Sequence, residues 1–175
     1  MKREQSELKI RITQLSEGTH EYQFTSHPEQ LRLGDHFQEN VEIDVILDKT
    51  QRQLYLRTKI SAGGKFECDR CAGDFTESIN SSYNICYAYD ENPVPNAEDD
   101  EIRLIHQGTP YLDLTEDIRQ SIMLAVPMKL VCSDDCKGLC PQCGCNLNTT
   151  TCACTTEHHD SRWDELRKLI TVPKT

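Results

Sequence analysis

Ten cysteines stand in a chain of 175 residues, and seven of them fall between Cys132 and Cys154. Read in order, eight make pairs: Cys68-x-x-Cys71, Cys132-x3-Cys136, Cys140-x-x-Cys143 and Cys152-x-Cys154, with Cys86 and Cys145 left over. A Cys-x-x-Cys turn brings two thiolates to one metal with little backbone strain, and four such soft ligands satisfy the tetrahedral preference of zinc. The chemistry expected is the holding of two structural Zn2+ ions. Disulfides are the other use of many thiols, but they require an oxidising compartment. The opening residues MKREQSELKIRITQLSEGTH have none of the apolar stretch of a secretory signal, so a cytoplasmic location is expected.

Loop closure suggests how the pairs combine. The eight residues between Cys143 and Cys152 form a loop that a compact ribbon can close, which assigns Cys140, Cys143, Cys152 and Cys154 to one site. Cys68 and Cys71 then join Cys132 and Cys136, clamping the front of the chain to its C-terminal part. A competing set, Cys132, Cys136, Cys140 and Cys143, has only three residues between its pairs and is cramped. His158 or His159 could replace Cys152 or Cys154, since imidazole also ligates zinc; a surface histidine pair without a metal role is the plainer reading. Cys86 sits on an alternating strand and reads as a small core hydrophobe. Cys145 is either a spare thiol beside the metal or an alternate ligand. A redox dithiol would need its motif at a helix N-terminus after a parallel strand, and an all-cysteine site leaves no open position for catalytic water. No enzyme and no small-molecule substrate are expected.

These knuckles need elements to position them. From Leu8 to Tyr89 apolar residues recur at period two: Ile10 and Ile12, then Val41, Ile43, Val45 and Leu47, then Leu54, Leu56 and Ile60, then Ile79, Tyr83, Ile85 and Tyr87. That is the pattern of half-buried strands. Gly63-Gly64 and Ala72-Gly73-Asp74 supply turn chemistry, which puts Cys68 and Cys71 at the tip of a β connection. Residues 90–101, DENPVPNAEDDE, hold six acids and two prolines and read as an exposed acidic linker. Asp113 followed by Glu116 resembles a capping box, and Leu114, Ile118, Ile122 and Ala125 then keep helical spacing until Pro127. A last short helix begins near Asp160 or Ser161 and carries Trp163, Leu166, Leu169 and Ile170. The expected fold is α+β. A mainly antiparallel β domain over 1–131 contains the linker and one packing helix over 113–126. A cysteine-rich, zinc-ribbon-like module with the terminal helix follows over 132–175.

The segments Phe66-Glu67-Cys68-Asp69-Arg70-Cys71 and Gly138-Leu139-Cys140-Pro141-Gln142-Cys143-Gly144-Cys145-Asn146-Leu147-Asn148 resemble the two landmarks of the YceD family. Leu112-Asp113-Leu114, Pro127, Cys152-x-Cys154 and Asp160-Ser161-Arg162 follow in the family's order, and the similarity covers roughly 60–170. Some members keep the first cysteine pair without the GLCPxCG segment, which is compatible with two separable metal sites. Ser161 departs from the proline usual in the family. The resemblance implies a role in accumulation of large-subunit (23S) ribosomal RNA, with that RNA, its precursor or a basic ribosomal protein as partner, and no catalytic mechanism.

The net charge of −10 argues against coating nucleic acid through a global field, so any RNA contact must be local. Between residues 49 and 70 the sign reverses: Lys49, Arg52, Arg57, Lys59, Lys65 and Arg70 oppose Glu67 and Asp69, a local +4. These cations are the candidate RNA contacts, the alternative being an ordinary charged strand face. The rival surface is the acidic strip Glu98, Asp99, Asp100 and Glu101, which could hold a basic ribosomal protein. No run of about 18 apolar residues is present to span a bilayer, so no membrane partner is expected.

Overall fold

The computed structural model describes residues 8–89, 101–154 and 161–163. In chain order these hold β1 (Lys9–Arg11), β2 (Gly18–Ser26), β3 (Val41–Lys49), β4 (Gln53–Glu67), β5 (Asp74–Ala88), β6 (Glu101–Leu104), β7 (Tyr111–Asp113) and α1 (Thr115–Ala125). A single 3-10 turn covers Ser161–Trp163. One sheet runs in the order β2-β3-β4-β5-β6, antiparallel throughout except for β6, which joins β5 in parallel; β1 and β7 form a separate antiparallel pair. The mostly β architecture with one helix agrees with the periodicity of the sequence.

Alternation decides which side chains meet. Leu47 lies opposite Leu56, Ile43 opposite Ile60, and Leu56 opposite Ile85, so one face of the sheet is mainly apolar. Onto this face pack Ile10 and Ile12, Leu31 from the loop after β2, and Leu114, Ile118 and Ile122 around α1. Each such fully buried side chain contributes roughly 1.5–3 kcal/mol. α1 is further tied to the sheet edge by Arg103 of β6, whose two guanidinium nitrogens donate to both carboxylate oxygens of Asp117 at 2.8 Å. Thr58, Ser81 and Tyr83 carry buried hydroxyls on this side that lack a well-formed partner.

Three expectations meet a different local outcome. Gly63 and Gly64 lie inside β4 and make no turn. The loop carrying His36 and Phe37 crosses them, Phe37 bridging to Gly64 and the Lys65 N–H donating to the His36 carbonyl at 2.7 Å. A Cβ on Gly64 would sit 2.7 Å from the Phe66 ring, and one on Gly63 would meet the Glu39 side chain, so these glycines leave room for side chains of the strand and of the crossing loop. The capping box does not form. Asp113 accepts the Thr115 N–H at 3.0 Å, but Glu116 turns to Arg119 and Gln120, and the helix starts two residues later than expected. Cys86 is buried as a small hydrophobe, as expected, on the sheet face it shares with Tyr55. In the C-terminal module, the described residues show one isolated bridge, Leu139 to Asn146, where a ribbon would have a ladder. The rest of the expected terminal helix, and most of the acidic linker, lie outside the described residues.

Candidate metal centres

The first centre is built at the far end of the β4–β5 hairpin. Phe66 stands edge-on to Phe37 at 5.8 Å and 6.3 Å from Phe75, which packs against the cysteine cluster. This aromatic wedge holds the two strand ends from which Cys68–Gly73 loops out. The Cys68 N–H donates to the Gly73 carbonyl at 3.0 Å, the Ala72 N–H to the Cys68 carbonyl at 2.9 Å, and Ala72 takes a left-handed φ of 52°. Against this knuckle docks the segment after α1. The Asp69 N–H donates to the Leu130 carbonyl at 2.8 Å, and the Asp69 carboxylate accepts the Leu130 N–H at 2.7 Å. Arg70 donates to the carbonyls of Asp134 and Cys136 at 3.0 and 3.1 Å, while its own carbonyl accepts the Leu139 N–H at 2.9 Å. Gly138 has φ 74°, and a Cβ there would come within 2.9 Å of that same carbonyl, so the approach requires glycine.

Four thiols converge as a result. Cys68, Cys71, Cys132 and Cys136 all lie within 4.8 Å of one another, with Cys68 to Cys136 and Cys71 to Cys132 both at 3.8 Å. A tetrahedron with metal–sulfur bonds of about 2.3 Å has edges of about 3.8 Å, so the spacing fits a tetrathiolate metal site; a disulfide would need about 2.05 Å. The backbone is arranged for thiolates. The Cys132 N–H donates to the Cys68 sulfur at 3.4 Å, with those of Arg70 and Cys71 also directed there, and the Cys68 thiol is lowered to about 6. The Asn148 side-chain amide donates to the Cys136 sulfur at 3.3 Å and, with the Gly138 N–H, lowers that thiol too. Cys132 is raised to about 12 as donor to its thiolate neighbours, Cys136 first. For Cys71 the Gly73 N–H pulls downward, but burial and the Cys68 and Cys136 neighbours leave it raised.

The second cluster is held on a tighter scaffold. The Cys140 N–H donates to the Cys145 carbonyl at 2.8 Å, the Gly144 N–H to the Cys140 carbonyl at 2.9 Å, and Gly144 has φ 72°. Backbone N–H groups of Cys143 and Gln142 lower the Cys140 thiol, and the Cys145 N–H lowers Cys143 to about 6. Cys152 comes 3.4 Å from Cys140 and 3.6 Å from Cys143. The mutually close set is Cys140, Cys143, Cys145 and Cys152. Cys154, expected as the fourth member, lies outside that compact group, with its N–H donating to the Cys152 sulfur at 3.3 Å. The reason is local: Cys145 sits on the pinned turn itself, whereas Cys154 ends the arm that brings Cys152 in. Two clusters of four cysteines could thus each hold a metal ion, and Cys132 and Cys136 fall with Cys68 and Cys71 in the first. His158 and His159 lie outside the described residues.

The six candidate cations do not form one surface. Lys49 reaches back to donate to the carbonyls of Ile12 and Leu15 at 2.9 and 2.8 Å. Arg57 pairs with Asp48 at 2.6 Å and lies over the Tyr55 ring, Lys65 pairs with Asp74 at 2.7 Å, and Arg70 serves the first centre. Arg52 and Lys59 are exposed without an ion-pair partner among the described residues. Lys59 shares the open sheet face with Ser61, Asn80 and Ser82, and with them lines one shallow groove that also carries the carboxylates of Glu42 and Asp44. Glu98, Asp99 and Asp100 lie outside the described residues, and Glu101 opens β6. Asn148 and Cys145 are the residues the motif reading did not place. Both belong to the Gly138–Asn148 landmark, but only the folded turn shows which sulfur each approaches.

The sequence model described as "Large ribosomal RNA subunit accumulation protein YceD" matches residues 56–170. An uncharacterized protein of Mycobacterium tuberculosis is 26% identical over 131 residues, covering 74% of this chain and 62% of the relative. The chloroplastic large ribosomal RNA subunit accumulation protein YCED homolog 1 of Arabidopsis thaliana is 27% identical over 157 residues, 74% of this chain and 47% of its own length. Its Zea mays namesake is 48% identical over 44 residues, 25% of this chain and 15% of that protein. The chain therefore spans less than two thirds of the curated relatives it matches. No solved structure matches. Among the described residues no helix is long and apolar enough to cross a membrane.

Proposed function

The chain belongs to the YceD family of large ribosomal RNA subunit accumulation proteins, and from that premise we propose that it is a non-enzymatic accessory factor that holds two structural zinc ions and supports accumulation of large-subunit ribosomal RNA in the cytoplasm. The observation that carries the metal reading is the Cys68, Cys71, Cys132 and Cys136 cluster, which joins two distant stretches of chain at metal–thiolate spacing. With four thiolates such a site has no vacant position for a reacting group, so its zinc would hold the scaffold together. Zinc measured after mild purification should come to about two per chain; a value near zero would sink this reading.

Direct RNA contact is the favoured mode. Lys59 and Arg52 are the cations of the basic stretch left to meet phosphate, and the neighbouring Ser61, Asn80 and Ser82 can hydrogen-bond to sugar and base edges. Ultraviolet cross-linking in growing cells, followed by sequencing of the attached RNA, should enrich one region of large-subunit ribosomal RNA. Arg52→Glu with Lys59→Glu should reduce that yield about tenfold, since each lost phosphate contact weakens binding electrostatically. Wild-type yield at background would overturn direct contact.

A second reading, an adaptor for a basic ribosomal protein, is supported by Glu21, Glu42 and Asp44, exposed on the same open face of the β2–β3 pair. It predicts that neutralising these three, together with Glu98, Asp99, Asp100 and Glu101, releases a ribosomal protein while leaving RNA cross-linking unchanged.

A further inference from the structure

The second centre gathers five thiols where a tetrahedral ion takes four. Cys140, Cys143, Cys145 and Cys152 lie within 4.8 Å of one another, and Cys154 adjoins them through its own N–H, which donates to the Cys152 sulfur at 3.3 Å. Three of the five are anchored. Cys140 and Cys143 accept backbone N–H groups on their sulfurs, and the Cys152 sulfur stands between theirs while accepting the Cys154 N–H at 3.3 Å. The remaining two are alike in chain position, although Cys145 lies inside the 4.8 Å set and Cys154 just outside it. Each follows an anchored cysteine by two positions, and neither sulfur accepts a backbone N–H. The Thr150 hydroxyl is directed at the Cys145 sulfur; apart from that, only a metal–sulfur bond would hold either of them to the ion.

We propose that Cys145 and Cys154 share the fourth position of the second centre by exchange, so that the zinc-loaded protein presents one free thiol beside the bound ion. This rests on the metal reading above. Exchange breaks one metal–sulfur bond and makes another of the same type. The incoming thiol gives up its proton, the outgoing thiolate takes one, and no electron moves. Solvent access favours it as well. At the second centre Cys140 is buried, Cys143 exposed and Cys145, Cys152 and Cys154 half-buried, whereas three of the four thiols of the first centre, Cys68, Cys71 and Cys136, are buried and only Cys132 is exposed. A displaced thiol at the second centre meets water, and an incoming soft cation or thiol can reach the ion there. The two centres therefore divide labour: the first is a fixed clamp, and the second is a site through which a thiophilic divalent ion can be exchanged.

The test uses the full-length protein with its zinc content measured first. It is treated with N-ethylmaleimide under native conditions, and the first adduct is located by fragmentation of the peptides. The label should divide between Cys145 and Cys154, the minor one carrying at least about a tenth of it, as expected when two forms differ by less than tenfold. Cys140, Cys143 and Cys152 should stay protected. Label confined to one cysteine, absent from both, or spread over all five overturns the exchange. In parallel, Cys145→Ser and Cys154→Ser should each keep both ions, and cobalt substituted into each should retain a four-thiolate absorption spectrum. The double variant should lose one ion. Loss of an ion from either single variant refutes the shared position. Fewer than two ions in the wild-type chain before labelling removes the metal reading itself, and the proposal with it, which separates that failure from the others.

Discussion

Asn148 is bonded at both ends of its side-chain amide: the nitrogen donates to the Cys136 sulfur at 3.3 Å, and the oxygen accepts the Lys137 N–H at 2.8 Å. It stands in the second cluster's loop yet stabilises a thiolate of the first. Groups of this type, one shell out from a metal, commonly govern affinity by 10–100-fold. Asn148→Ala should therefore weaken metal retention at the first centre about tenfold, seen as faster loss of one ion to a chelator, with the second ion unaffected. Equal loss from both centres would show that the residue merely supports the fold. Cysteine type and spacing made most of this site legible in the sequence, because the thiol has few other uses in such density. Arg70 was not legible in the same way. Its charge suggested phosphate, but its partners are two backbone carbonyls, and backbone acceptors leave no trace in a residue pattern. Cys145 was ambiguous for a related reason, since a two-residue spacing does not say which side of a turn a sulfur takes.

Among the elements, the strands from β3 to β5 were readable because their apolar residues alternate along most of each pair, up to the wholly buried end of β5 from Ile85 to Ala88, and a slip of one residue would turn the apolar side chains outward. The β2 strand was harder. Its alternating residues include His20 and Ser26, and Tyr22 and Phe24 are only half-buried at the sheet edge, so the contrast that marks a strand is weak. The alternation of Ile10 and Ile12 marks β1, but its three-residue pairing with β7, a hundred residues away, leaves no signal in a local pattern. That pair also feeds the helix. Asp113 ends β7, accepts the Thr115 N–H at 3.0 Å and lies 3.9 Å from Lys9. Burial raises its pKa, but the Thr115 hydroxyl and N–H donors and the Lys9 charge outweigh this, leaving the carboxyl below its usual value. A depressed folded pKa gives stability that is present above the unfolded value near 3.9 and lost as pH falls through the folded one. Asp113→Asn should thus cost about 0.5–1 kcal/mol near neutral pH, modest because the site is half exposed, and nothing at about pH 2. Urea unfolding at the two pH values measures it; an undiminished difference at low pH would mean the carboxylate's charge is not what Thr115 and Lys9 recognise.

At the scale of the whole molecule there are two cores of different kinds. The apolar core is closed by the sheet, the β1–β7 pair and α1, and none of the ten cysteines belongs to it. The other is the thiol cluster of Cys68, Cys71 and Cys136 with Phe75 and Val131. Between the β4–β5 knuckle and the segment after α1, the backbone hydrogen bonds centre on Asp69 and Arg70, and each contributes only about 0.5–1.5 kcal/mol net. Ordering each residue of that segment costs about 1–2 kcal/mol of backbone entropy, which so few bonds cannot offset over more than a short stretch. Structural zinc supplies about 10–16 kcal/mol in small metal-organised domains, enough to reverse the balance. Chelation should therefore release the segment while leaving the sheet folded. Far-ultraviolet circular dichroism should keep its β signal after metal removal, while trypsin cleavage at Lys129 and Lys137 accelerates at least about tenfold, because a protease needs a locally opened chain. Restoring zinc should restore protection. If the β signal collapses together with protection, the apolar core depends on the clamp and the two form one cooperative unit. If trypsin is no faster without metal, the contacts of Asp69, Arg70 and Gly138 alone suffice to dock the segment, and the clamp has some purpose other than holding it.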